Sequence, residues 1–142
     1  MGEYRHNIDS KNRLIVPVKY RDELGDTFII TRGIDKCLNI YTKEQWKKMF
    51  EGINNLPVNK GTIRKYIHNL TSKASECTLD SQGRIKIPNF LKDLVNIQKA
   101  CVIVGENTYL SIWGSEEYED FDAIATEEFE QLAEQITEFI PQ

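Results

Sequence analysis

The stretch that decides the fold occurs twice. Residues 8–17 read IDSKNRLIVP and residues 79–88 read LDSQGRIKIP, an offset of 71. Four positions are identical in the two copies: Asp9/Asp80, Ser10/Ser81, Arg13/Arg84 and Pro17/Pro88. Three more are aliphatic in both: Ile8/Leu79, Leu14/Ile85 and Val16/Ile87. The match resumes downstream with a small shift, Phe28-Ile29-Ile30 answering Cys101-Val102-Ile103, and Leu38 to Trp46 answering Leu110 to Tyr118. The chain therefore reads as a duplicated module, residues 5–47 and 76–119, with a helical insert over 48–75 and an acidic amphipathic tail over 120–142.

Each module predicts the same order of elements. Ile8 ends a first strand, and Asp9-Ser10-Lys11-Asn12 is a turn cluster. Leu14-Ile15-Val16 is a second strand, ended by Pro17, which cannot donate to a ladder and favours a helix start. A short helix follows over Val18 to Leu24 with Gly25 as its stop. Strands over Thr27–Thr31 and Cys37–Tyr41 come next. Thr42-x-x-Gln45 then caps a helix with Trp46, Met49, Phe50 and Ile53 on one face. The second module ends on a helix expected to be capped by Ser115. The insert carries a helix with Ile63, Tyr66, Ile67 and Leu70 on its apolar face. The tail carries another, capped by Thr126, with Phe129, Leu132, Ile136 and Phe139 as its stripe. A module of about 43 residues is near the lower limit for folding alone. Two such modules sharing one core about a pseudo-twofold axis is the natural solution. The expected class is α+β, mostly β, with peripheral helices.

The chain has 142 residues, 40% of them hydrophobic and 28% charged, an ordinary globular balance. No apolar run approaches the roughly 20 residues of a membrane span. The start MGEYRHNIDS has no apolar core, so no secretory signal is expected and the default compartment is the cytoplasm. Cys37, Cys77 and Cys101 form no CxxC and read as packed residues. The net charge of −4 hides an asymmetry. Residues 1–75 hold 14 Lys+Arg against 8 Asp+Glu, residues 76–115 hold 4 against 4, and residues 116–142 hold none against 10. A mildly basic body bears a strongly acidic tail. The local basic face sets attraction to phosphates.

The candidate site is the repeated Asp-Ser-x-x-Arg turn. Arg13 and Arg84 stand just before the second strand of each module, where a guanidinium fork suits phosphate or a bidentate grip on guanine. Asp9 and Asp80 can hold the turn or pair with the arginine. Gly83 supplies a positive φ, and Asn12 is the usual non-glycine residue for that conformation. Lys11 and Gln82 add polar groups beside the arginines. The bland alternative is an Asp–Arg surface pair that fixes a loop and binds nothing. His6 and His68 have no partner at metal-ligand spacing, and no phosphate-loop, nucleophile-elbow or zinc-protease motif is present. No cofactor, metal or catalytic activity is expected. Trp46 and Trp113 sit at strand-to-helix corners and read as core.

With these residues in view, MGEYRHNIDSKNRLIVP, FIITRGIDKCLNIY, LDSQGRIKIP and YLSIW closely resemble the MraZ family, over residues 1–119. The resemblance implies two tandem AbrB-like, swapped-hairpin modules in a double-psi-like barrel. It implies a bacterial transcription regulator, often a repressor, of the division and cell-wall gene cluster that includes its own gene. It also implies a ring-shaped homo-oligomer associated with the nucleoid. Carried over by position, the motif arginines are Arg13 and Arg84 and the motif acids Asp9 and Asp80. Asn12 departs from the commoner glycine.

The resulting expectation is a non-enzymatic, sequence-specific binder of double-stranded promoter DNA. Its turns would enter the major groove, with DNA-binding residues Arg13, Arg84, Lys11, Gln82, Asp9 and Asp80. Lys11, with Lys19 or Arg21, would contact phosphates. Tandem short repeats bound by several subunits would supply affinity, and the first module would be the stronger reader. No membrane or small-molecule substrate is expected. The competing reading is a protein-interaction module whose acidic tail docks a partner. An RNA binder would need exposed aromatic pairs for stacking, which the sequence lacks.

Overall fold

A computed structural model describes residues 1–139. The first half contributes β1 (Gly2–Asn7), β2 (Arg13–Ile15), α1 (Val18–Leu24), β3 (Phe28–Arg32), β4 (Leu38–Thr42) and α2 (Lys43–Ile53). After α3 (Gly61–Ser72), the order recurs: β5 (Ser75–Cys77), β6 (Arg84–Lys86), α4 (Asn89–Leu94), β7 (Ala100–Gly105), β8 (Leu110–Gly114) and α5 (Ser115–Glu127). Helix α6 (Phe129–Ile136) and a 3-10 turn over Thr137–Phe139 follow. The class is α+β, with most of the strands in one open antiparallel sheet.

That sheet has the order β1-β7-β8-β4-β3-β5, and β2 and β6 form a separate two-stranded ribbon. Strand β1 pairs with β7 of the second half, Tyr4 opposite Ile103. Strand β5 of the second half pairs with β3 of the first, Ile29 opposite Glu76. The halves thus exchange their opening strands. The order also reads alike from both ends once each strand is replaced by its repeat partner. Strands β4 and β8 meet at the centre, Asn39 opposite Ser111.

Period-two alternation assigns the faces. In β4, Leu38 and Ile40 enter the main core while Asn39 faces the other way; in β8, Leu110 and Ile112 do so while Ser111 and Trp113 turn outward. The ribbon follows the same rule: Leu14 and Ile85 are fully buried. One apolar cluster contains residues of both halves, from Ile8 and Leu14 to Ile85 and Ile112. A smaller cluster of Cys37, Val102, Trp113 and Tyr118 lies on the opposite face under α5. Burial pushes the Cys37 thiol up to about 12 and those of Cys77 and Cys101 to about 11, so all three stay protonated and act as apolar filler.

Local signals hold where short-range chemistry decides. Helix α1 spans Val18–Leu24 and stops at Gly25, whose φ is 72°. The Thr42 side chain accepts the Gln45 N–H at 3.0 Å. Helix α3 packs through buried Leu70 and is tied to β3 by two bonds of 2.8 Å, Thr31 Oγ1 donating to the Leu70 carbonyl and Arg32 Nη1 to Asn69 Oδ1. Trp113 is buried, and half-buried Trp46 packs on Tyr41 and Phe50.

Two expected caps are corrected. Gly114 occupies the cap position of α5 and Ser115 is already helical, so its hydroxyl caps nothing. Thr126 lies inside α5. The tail bends at Glu128 instead, where Glu128 N–H still reaches the Ile124 carbonyl and Leu132 N–H the Glu128 carbonyl. The regular helix is interrupted there, at φ −92° and ψ 2°, with those helical bonds kept and no side chain capping α6. The apolar stripe of the tail is exposed, Phe129 at 69% and Phe139 at 75%. Helices α2 and α5 run unbroken across residues 47–48 and 119–120.

Because Ile85 is fully enclosed in a ribbon that joins both halves, Ile85→Ala is expected to cost about 2–5 kcal/mol in urea unfolding. A loss under about 1 kcal/mol would show that the ribbon does not couple the halves.

Candidate nucleic-acid interface

The two Asp-x-x-x-Arg turns are built alike, bond for bond. Asp9 Oδ1 accepts the backbone N–H of Lys11 at 2.9 Å and of Arg13 at 2.8 Å. Asp80 Oδ1 accepts those of Gln82 and Arg84, both at 2.9 Å. Backbone bonds close each loop, Asn12 N–H to the Asp9 carbonyl and Gly83 N–H to the Asp80 carbonyl, both 3.0 Å. The third loop residue is left-handed in each, φ 60° at Asn12 and 75° at Gly83. One carboxylate oxygen therefore organises the loop, and the motif needs an acid at its first position for that reason.

The other carboxylate oxygen aims the guanidinium. Asp9 Oδ2 accepts Arg13 Nε at 2.7 Å and Asp80 Oδ2 accepts Arg84 Nε at 2.8 Å. Nε is the inner donor of the fork, so the hydrogen bond to the motif acid uses neither terminal nitrogen. The Asp–Arg pair is thus a loop device that also presents a fork, and the two readings of the motif do not compete.

The ribbon brings the turns together. Arg13 lies opposite Lys86 and Arg84 opposite Ile15, so both arginines share the face away from Leu14 and Ile85. Arg84 Nη1 comes within 3.9 Å of Asp9 Oδ2, which links the two turns directly. The guanidinium side chains keep 32% and 24% of their surface exposed, and Lys11, Gln82 and Lys86 are exposed beside them.

Each turn also borrows a residue from the other half. Arg21 of α1 donates from Nε to the Val16 carbonyl at 2.9 Å and lies over Gly83. A Cβ at position 83 would collide with that guanidinium. Lys92 of α4, at the repeat-equivalent position, donates from Nζ to Asn12 Oδ1 at 3.1 Å. Lysine and asparagine thus stand together where the other turn has arginine and glycine. Lys19 does not join the turns: its ammonium bonds to the Met1 carbonyl at 2.8 Å and lies over the Tyr4 and Tyr20 rings.

The fold therefore brings together the loops that carry Arg13, Arg84, Asp9, Asp80, Lys11 and Gln82, and adds Lys86 and Lys92, which the sequence motif does not mark. The offset of 71 could have found Lys92, since it maps onto Arg21. Six cations, Lys11, Arg13, Arg21, Arg84, Lys86 and Lys92, gather around two carboxylates. The excess suits a polyanion. A cleft of about 640 Å³ lies elsewhere, on the opposite sheet face, with Trp113 Nε1 donating to Ser111 Oγ and that hydroxyl to Glu106. Among the described residues no group of three or more His, Cys, Asp or Glu could hold a metal.

Both motif carboxyls are held below the ordinary value of 3.8, first by the backbone N–H of the motif arginine and then by its side chain. A depressed folded value means the stabilisation is present above pH 3.8 and lost as pH falls through the lower folded value. Carboxyl titration by NMR is expected to place Asp9 and Asp80 below 3.8, and Asp9 to stay low in Arg13→Ala because the largest cause is a backbone amide. A return of Asp9 to its ordinary value in that variant would refute this ranking.

Comparison with known proteins agrees with the motif. Residues 1–66 and 70–140 match the sequence profile of the family described as "MraZ protein, putative antitoxin-like". The chain is 43% identical over 140 residues to the "Transcriptional regulator MraZ" of Desulforamulus reducens, covering 99% of each. It is 45% identical over 139 residues to the protein of that name from Ligilactobacillus salivarius, covering 98% of this chain and 97% of the relative. Its identity to that of Natranaerobius thermophilus is 44% over 139 residues, with the same coverage. Profile and relatives both extend over the two turns and the strands between them, and on that footing the chain belongs to the MraZ family.

Proposed function

We propose that this chain is a sequence-specific DNA-binding transcriptional regulator, acting as a repressor of the division and cell-wall gene cluster that contains its own gene. One observation carries the reading: two pre-aimed guanidiniums share the outward face of a single β ribbon, ringed by further cations. A two-stranded ribbon fits the major groove, where an arginine fork can grip guanine and lysines can contact phosphates. The names of the relatives, transcriptional regulators and not enzymes, support the same assignment.

In this reading the halves are AbrB-like swapped-hairpin modules, 5–47 and 76–119, separated by the 48–75 insert and followed by the 120–142 tail, and they pack as a double-psi-like barrel. The exchange of β1 and β5 between halves supports it. Six cations per chain give modest affinity, so a ring-shaped homo-oligomer would engage tandem promoter repeats and gain by effective concentration. The protein would work in the cytoplasm, on the nucleoid. The exposed apolar stripe of α6 favours a second role, docking of a protein partner by the acidic tail; a stoichiometric partner in pull-down, without salt-sensitive DNA retention, would support that role instead.

The test is a mobility shift on DNA upstream of its own gene across a salt series. The parent is expected to prefer that DNA over random duplex, and Arg13→Ala and Arg84→Ala each to weaken binding about tenfold or more. Parent-like binding by both variants would refute the site.

A further inference from the structure

The two turns are not chemically equivalent, and the difference lies where a base edge would be met. We infer that Asn12, held in a side-chain amide pair with Asn89, is a specificity-determining residue that makes the first turn read a base which the second turn does not. This rests on the DNA-binding reading above.

The amide of Asn12 is fixed at both ends. Its Nδ2 donates to Asn89 Oδ1 and its Oδ1 accepts from Lys92 Nζ. Each contact uses only part of the capacity: one N–H and one lone pair of Asn12 stay open, as do both amide hydrogens of Asn89. Asn89 is exposed and Asn12 half-buried. Their position is set by the ribbon. The Asn12 carbonyl accepts the Ile87 N–H at 2.8 Å, and Ile87 follows Lys86, the residue opposite Arg13. The Asn12 end of the amide pair therefore sits on the loop that carries Arg13, one residue before it in the chain.

An asparagine with one free donor and one free acceptor matches the N7 and N6 edge of adenine, as an arginine fork matches guanine. At the second turn the equivalent positions hold Gly83 and Val18. Neither side chain can make that contact, and Val18 is 73% exposed as an apolar surface. An asparagine at 83 would put its Cβ where the Arg21 guanidinium now lies, so Arg21 would have to move aside. The asymmetry is thus built into the packing: a lysine that bonds to an amide on one side, an arginine that covers a glycine on the other. The first turn presents arginine plus amide, the second arginine plus methyl groups. The half-sites they meet should differ in sequence even though the turns share a backbone.

The experiment measures binding of the full chain to a set of duplexes carrying every single-base change in its preferred site. Asn12→Gly keeps the left-handed backbone, since glycine takes φ 60° freely; Asn89→Ala is the second variant and leaves the loop untouched. Both variants are expected to bind the preferred duplex about tenfold more weakly, to the level of duplexes changed at one adenine position beside a guanine, while affinity for those changed duplexes and the salt dependence stay as in the parent. An unchanged preference at every position in both variants would overturn the inference and leave the DNA-binding assignment standing. A uniform weakening on all duplexes would also overturn it, because that is the signature of a structural role. If the parent itself shows no base preference anywhere, the DNA-reading assignment fails and this inference falls with it.

Discussion

The structure depends on a reciprocal backbone exchange. The Val16 N–H bonds to the Gly83 carbonyl at 2.9 Å and the Ile87 N–H to the Asn12 carbonyl at 2.8 Å. Each donor continues one ribbon strand, and each acceptor is the left-handed residue of the opposite turn. Each loop, closed within itself by its aspartate, is thereby also tied to the end of the opposite ribbon strand. Leu14 and Ile85 drive this closure by burying its inner side. The outer side is left free for charge, and that is where the arginines stand.

The charge distribution follows from the same constraint. A ribbon three residues long has little surface, so extra cations have to come from flanking helices. Arg21 and Lys92 do so from α1 and α4, each reaching the turn of the opposite half. The acids of the tail lie on other elements. Their sum masks the basic ribbon in the overall charge of −4. Net charge here describes the colloid and not the ribbon face.

Much of this was legible in the residues. The repeat, the left-handed Asn12 and Gly83, the Gly25 stop and the Thr42 cap are all decided within a few positions along the chain, so spacing reveals them. What stayed hidden is non-local. No pattern in Gly2–Asn7 says that it pairs with Ala100–Gly105 and not with its own module, because pairing partners are chosen by the whole sheet. The bond of Lys92 to Asn12 spans 80 positions, and only the repeat offset that maps Lys92 onto Arg21 points to it. The Ser115 and Thr126 assignments failed because a capping residue type was present where the backbone had already become helical. Of the candidate site, the turns and Arg21 were legible in the sequence, while the ribbon that joins the turns and Lys92, borrowed across it, were not.

The exchanged opening strands bear on how the chain is made. A polypeptide emerging from the ribosome displays Gly2–Asn7 long before residues 100–105 exist to receive it. Until then the first half has neither its sheet edge nor its ribbon partner, and Phe28 and Leu14 lie open. Contacts of such sequence separation make for slow closure. A nascent first half thus carries an opening strand and apolar side chains whose covering partners lie some hundred residues further along the chain.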